Sequence, residues 1–98
     1  MHVQLQPARS PELDADAAAS RIAALAPAVV TRGDDAGPYI NIDFRPTEMS
    51  TLWTAVQAEL VADPRLAACV IACCEGERGW DDYLLLHHYD PSEPLDMV

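Results

Sequence analysis

The chain has 98 residues, half of them hydrophobic, and a formal net charge of −10. Its length fits one domain with a modest core, and its hydrophobic share excludes a wholly disordered chain. The six cations are all arginines and no lysine is present. Binding to nucleic acid or to anionic membranes requires clustered cations, so neither is expected as a partner.

The cysteines and the first ten residues indicate a cytoplasmic protein. The chain has three cysteines, Cys69, Cys73 and Cys74, and the last two are adjacent. A disulfide between neighbours closes a strained ring, so we expect reduced thiols. Residues 1–10 lack the basic segment followed by an apolar core that marks a secretory signal. The composition, without lysine and rich in alanine and arginine, is typical of a bacterial genome rich in GC.

The first predicted helix follows a short alternating segment, residues 2–6, which is a candidate strand. Ser10 is the expected cap, with Pro11 in the first helical position, and the helix ends before Pro27. Its apolar positions recur at helical spacing. They are Ala15, Ala18, Ala19, Ile22 and Leu25.

Two β-rich segments, residues 28–32 and 39–45, flank a cluster of turn formers and predict a hairpin. In the second segment, apolar and more polar side chains alternate strictly, so we expect one face to lie on the core and the other in solvent. The core set is Ile40, Ile42 and Phe44, and the outer set is Tyr39, Asn41, Asp43 and Arg45.

A second helix is predicted after Pro46, with Thr47 as its cap and its end just before Pro64. It is the most clearly amphipathic segment of the chain. Its apolar side contains Met49, Leu52, Trp53, Val56 and Leu60.

Residues 66–75 and 79–87 predict a final hairpin whose two strands are apolar on both faces. The element order is then (β)αββαββ. We expect an α+β two-layer sandwich with two helices on one face of an antiparallel sheet of four or five strands. If residues 2–6 form a strand, the first six elements have the ferredoxin-like order, with one strand added at an edge. The domain should span residues 1–90, followed by a flexible tail, residues 91–98.

The reactive side chains do not predict a catalytic or metal site. His87 and His88 point to opposite faces of a strand, and His88 shares a face only with Asp90, which is too few ligands for zinc. In the simplest hairpin pairing, Cys69 faces Leu86 and has His88 as a diagonal neighbour, but a strand in an acidic protein does not activate a thiol. We expect no metal, no cofactor and no catalytic residues.

The final hairpin does predict a binding surface. If helices cover one of its faces, the other exposes apolar side chains that favour association with a second copy or with another protein. That exposed set is Val70, Ala72, Cys74, Tyr83 and Leu85, or the alternate positions. Burial of this face under the N-terminal segment is the competing possibility.

The hairpin tip adds aromatic and acidic groups to this surface. Trp80 and Tyr83 flank Asp81 and Asp82, a combination that binding surfaces favour. Alternatively, Trp80 covers the core.

The leading hypothesis is a small non-catalytic interaction domain that forms a homodimer or binds a protein partner through Val70, Leu85 and the hairpin tip. In one version, the acidic chain is an inhibitor or immunity-type protein for a basic partner. The alternative is a small enzyme, ligand-binding or metal-binding protein that uses Cys69 with His88, or the strand end at His87 and His88.

Overall fold

The computed structural model describes residues 1–45, 48–76 and 78–96. These residues form five strands and three α-helices. In chain order the elements are β1 (His2–Leu5), α1 (Ala15–Ala23), β2 (Ala28–Asp34), β3 (Pro38–Phe44), α2 (Met49–Ala62), α3 (Pro64–Ala67), β4 (Val70–Gly76) and β5 (Gly79–His87). None of the described helices is long and apolar enough to cross a bilayer.

The strands form one antiparallel sheet in the order β2-β3-β1-β4-β5. This is the ferredoxin-like arrangement predicted from the sequence, with β5 added beside β4. The candidate N-terminal strand is central: Val3 and Leu5 are fully buried, whereas His2 and Gln4 lie on the opposite face. The predicted α+β two-layer sandwich is therefore confirmed.

The helices pack on one face of the sheet. The shared core contains strand residues Val3, Leu5, Ile40, Ile42, Phe44, Val70, Ala72, Cys74 and Leu86, and helix residues Ala18, Ala19, Ile22, Leu52, Val56, Leu60 and Leu66. Because strand residues alternate, the other positions form a second face, the helix-free face. Its central residues are His2, Gln4, Asn41, Asp43, Ile71, Cys73 and Leu85.

The first helix begins later than predicted. Asp14 is its N-cap and accepts a hydrogen bond from the Ala17 N–H at 3.0 Å. Ser10 is instead buried after a 3-10 turn, Pro7–Arg9, and its hydroxyl donates to the Arg65 carbonyl at 2.6 Å. Ser10 and Asp14 are both suitable N-cap residues. Because the Ser10 hydroxyl is bound to the Arg65 carbonyl, Asp14 caps the helix.

Helix α2 confirms the predicted amphipathic pattern, since Leu52, Val56 and Leu60 are buried. Its N-cap is Glu48, and the predicted cap, Thr47, lies outside the described residues together with Pro46. The helix ends at Ala62, one residue before the predicted limit.

The final hairpin differs from the prediction at its start and in its register. The residues predicted to begin the strand form α3 instead, capped by Asp63, and Cys69 lies in the following turn. Irregularities in β5 then shift the pairing. Cys73 faces Leu85 and Ala72 faces His87, so the predicted pairing of Cys69 with Leu86 is wrong.

Candidate functional site

Four of the six residues predicted to bind a partner lie together on exposed β5. Trp80 is 48% exposed and Tyr83 57% exposed, and Asp81 and Asp82 between them are also exposed. Both aromatic rings border a cavity on the helix-free face. The alternative position of Trp80, over the helix-covered core, is therefore not adopted.

The remaining two predicted residues lie on opposite faces of the sheet. Val70 is fully buried and faces the helices, so it is not on the exposed surface. Leu85 is half-buried on the helix-free face, opposite Cys73. On β4 the alternate positions, Ile71 and Cys73, are therefore on the helix-free face, whereas on β5 Tyr83 and Leu85 of the first predicted set are there. We call this exposed set the apolar strip: Ile71, Cys73, Trp80, Tyr83 and Leu85.

A cavity of about 320 Å³ opens beside the apolar strip. Three residues of the strip, Cys73, Trp80 and Tyr83, line this cavity together with His2 and Asp43. Cys73, His2 and Asp43 form a row across three adjacent strands. His2 lies opposite both other members of this row, across β4 and β3. Its Nδ1 atom is 2.5 Å from Oδ1 of Asp43.

This row resembles a nucleophile, base and carboxylate, but the sheet around it provides little for catalysis. Burial raises the pKa of the Cys73 thiol, so it is protonated at neutral pH. The three residues lie on interior strands, whose backbone N–H groups pair across the sheet and cannot stabilise an oxyanion. The arrangement therefore supplies a thiol and a fixed imidazole without an activated nucleophile.

A second, larger concavity lies on the same side of the sheet, and we call it the polar groove. Its volume is about 730 Å³. Its lining comes from β1, β3, the 3-10 turn, the β2–β3 turn and the segment after β5. The residues are Gln4, Gln6, Ala8, Arg9, Asp35, Ala36, Gly37, Pro38, Tyr39, Asn41 and Tyr89.

A directional chain of hydrogen bonds runs along the polar groove. Arg9 Nε donates to Gln6 Oε1 at 2.6 Å, and Gln6 Nε2 donates to Gln4 Oε1 at 2.9 Å. Gln4 Nε2 then donates to Asn41 Oδ1 at 2.9 Å. The Arg9 guanidinium carbon also lies 3.6 Å from the centroid of the Tyr89 ring. These contacts hold each of the side chains in one orientation.

The histidines and the cysteine of the alternative hypothesis have local structural partners. His87 Nε2 donates to the Ala67 carbonyl at 2.8 Å, and His88 Nδ1 accepts from the Asp90 N–H at 3.0 Å. Cys69 is fully buried and its thiol contacts the Leu66 carbonyl at 3.4 Å. Burial also raises its pKa. Across the described ranges, no three His, Cys, Asp or Glu side chains are grouped to hold a metal ion.

The polar groove was not predicted from the sequence. The alternation in β1 and β3 assigns Gln4 and Asn41 to the face opposite the core, and the ferredoxin-like order makes these strands neighbours. The two amides could therefore have been paired from the sequence. Nothing in the sequence indicates that Arg9 and Tyr89, 80 positions apart, stack on each other.

Comparison with known proteins adds no assignment to these sites. No protein-family model matches the chain, and the searches of curated proteins and of solved structures return no match.

Proposed function

We propose that the protein is a small non-catalytic interaction domain that forms a homodimer through the apolar strip. The observation that carries this proposal is the pair of aromatic side chains, Trp80 and Tyr83, exposed on a sheet face without helices. Large exposed aromatic side chains at a cavity rim are typical anchors of protein interfaces. Leu85 and Ile71 extend the same apolar surface.

The charge distribution favours a second copy as the partner. The chain carries 16 acidic residues, yet the centre of the helix-free face has one carboxylate, Asp43, which His2 already contacts. Two such faces can meet without burying a carboxylate that lacks a hydrogen-bond partner. A basic partner, as in the inhibitor-type hypothesis, would instead bind exposed carboxylates. The exposed carboxylates of β5, Asp81 and Asp82, lie beside the apolar strip and are not part of it.

The size of the face predicts a weak, reversible dimer. Five strands spaced about 4.8 Å apart and about 20 Å long give a face of roughly 500 Å². Two whole faces would bury about 1,000 Å², which is near the lower limit for a specific interface. A dimer through the apolar strip buries less than this, because it leaves the polar groove on the same side of the sheet uncovered. Interfaces this small are typical of transient complexes, so we expect a dimer that dissociates on dilution.

The salt dependence of binding distinguishes a homodimer from a complex with a basic partner. Each copy carries a formal charge of −10, so two copies repel each other at low ionic strength. Added salt screens this repulsion, and self-association through apolar contacts should strengthen. Binding of a basic partner to Asp81 and Asp82 should weaken under the same conditions.

Sedimentation velocity at several protein concentrations tests the proposal. The wild type should show a monomer–dimer equilibrium, and Trp80→Ala should weaken it about tenfold because anchor residues dominate interface energies. Val61→Ala is the control, since Val61 is an apolar side chain 83% exposed on α2. A monomer at all concentrations, or equal dimerisation of Trp80→Ala and wild type, would refute the proposal.

The free thiols support a cytoplasmic location for this domain. Cys69, Cys73 and Cys74 form no disulfide, and two of them are buried. Unpaired cysteines persist most readily in a reducing compartment.

A further inference from the structure

We infer that the polar groove binds a short peptide that has both termini free, with its carboxylate on Arg9 and its ammonium group on Asp35. This inference goes beyond the proposed dimer, because the groove and the apolar strip share no residue. Its volume, about 730 Å³, falls within the range of small-ligand sites.

Arg9 is prepared to receive a carboxylate. Its Nε–H donates a hydrogen bond to Gln6, and its guanidinium group lies over the Tyr89 ring. These two contacts fix the position of the guanidinium group. The ion pairs of the described residues do not include Arg9, so its outer N–H groups are available. A carboxylate is the anion that a fixed guanidinium binds with two parallel hydrogen bonds.

Asp35 gives the groove a charge of the opposite sign. It lies in the β2–β3 turn and lines the same cavity as Arg9, yet the two side chains do not pair with each other. Its backbone N–H donates to the Gly37 carbonyl at 3.0 Å, which holds the turn. A ligand that carries both charges would satisfy both residues, whereas a simple anion would be repelled by Asp35.

The side-chain amides that line the groove favour peptide groups. Gln4, Gln6 and Asn41 present side-chain amides, which donate and accept hydrogen bonds as a peptide bond does. Tyr39 and Tyr89 supply aromatic surface at the groove wall. A tripeptide spans roughly 10 Å when extended, which suits a groove of this size.

Trialanine is the probe, and binding is followed by amide chemical shifts of the isotope-labelled full chain. We expect the free peptide to shift resonances of β1, β3 and the β2–β3 turn. Acetylation of its amine or amidation of its carboxyl group should each weaken binding about tenfold, the loss expected for one charge-assisted hydrogen bond.

Two substitutions with matched controls locate the site. Arg9→Gln and Asp35→Asn should each weaken trialanine binding about tenfold. Arg45→Gln and Asp34→Asn should leave it unchanged, because both residues are exposed and neither lines the groove. Asp35 lies in an exposed turn, so Asp35→Asn tests the site even if Arg9→Gln fails to fold.

Several results would overturn the inference. These are an absence of shifts at millimolar trialanine, equal binding of the blocked peptides, or unchanged binding by Asp35→Asn. Loss of the dimer with peptide binding retained would refute the proposed function alone, and the reverse result would refute this inference alone.

Discussion

Cys73 lies directly opposite His2 on the neighbouring strand, and both side chains line the cavity beside the apolar strip. The other two cysteines are buried in the helix-covered core, Cys69 from the turn after α3 and Cys74 from β4. Only Cys73 therefore has its thiol on the helix-free face. Its reactivity toward a thiol reagent should distinguish it from the two buried cysteines.

Cys73 should be the first thiol to react with iodoacetamide in the folded protein. Burial raises its pKa above the ordinary value of 9.0, so the reaction should be slow at neutral pH and should still accelerate above pH 9.0. Peptide mass spectrometry after timed quenching identifies the modified residue. Earlier modification of Cys69 or Cys74 would contradict the assignment of the two faces.

Gly76→Ala should destabilise the final hairpin. A Cβ at this position would lie 1.8 Å from the backbone carbonyl oxygen of Asp82, which cannot move without shifting β5. We expect a loss of about 1–3 kcal/mol, typical of overpacking, in urea unfolding. The neighbouring exposed change, Glu75→Ala, is the control and should have little effect. Equal stabilities of the two variants would show that β5 approaches β4 less closely than described.

Glu48 should stabilise α2 in a pH-dependent way. Hydrogen bonds from Thr51 and Ser50 lower the pKa of Glu48 from 4.5 to about 2. Because the folded pKa is depressed, the stabilisation is fully present above pH 4.5 and is lost as the pH falls to about 2. Glu48→Gln should therefore lower the melting temperature at neutral pH.

The difference in melting temperature between wild type and Glu48→Gln should shrink across that acidic range. Glu12→Gln is the control, because Glu12 is exposed and has no side-chain hydrogen bond within the described ranges. A difference that stays constant from pH 5 to pH 2 would exclude the carboxylate as the cap.

Leu5→Ala tests the central position of β1. Leu5 is fully buried between β3 and β4, so its truncation should cost about 2–5 kcal/mol in chemical unfolding. Val61→Ala on the exposed side of α2 should change stability by less than about 0.5 kcal/mol. A small effect at Leu5 would mean that the N-terminal strand is not part of the core.

The sequence predicted the layers and the strand order because these depend on hydrophobic periodicity. Alternation in β3 and the helical spacing in α2 were each strong enough to assign a buried face, whereas the short alternating run of residues 2–6 indicated only a candidate strand. The start of α1 was misplaced because Ser10 and Asp14 are both good caps, and only the tertiary contact of Ser10 with Arg65 decides between them.

The candidate site was less predictable for a related reason. Trp80 and Tyr83 could be identified by residue type, but Val70 and Leu85 were assigned to one face and lie on two. The shifts in β5 register decide this, and bulges leave no reliable signal in an apolar strand. The polar groove depends on contacts between residues far apart in sequence, such as Arg9 and Tyr89.

The most direct test of the proposed homodimer is a dilution series followed by amide chemical shifts of the isotope-labelled protein. We expect concentration-dependent shifts at Ile71, Cys73, Trp80, Tyr83 and Leu85, with the exposed side of α2 unaffected. Shifts confined to α1 and α2, or none over the full concentration range, would show that the apolar strip is not where a second copy binds.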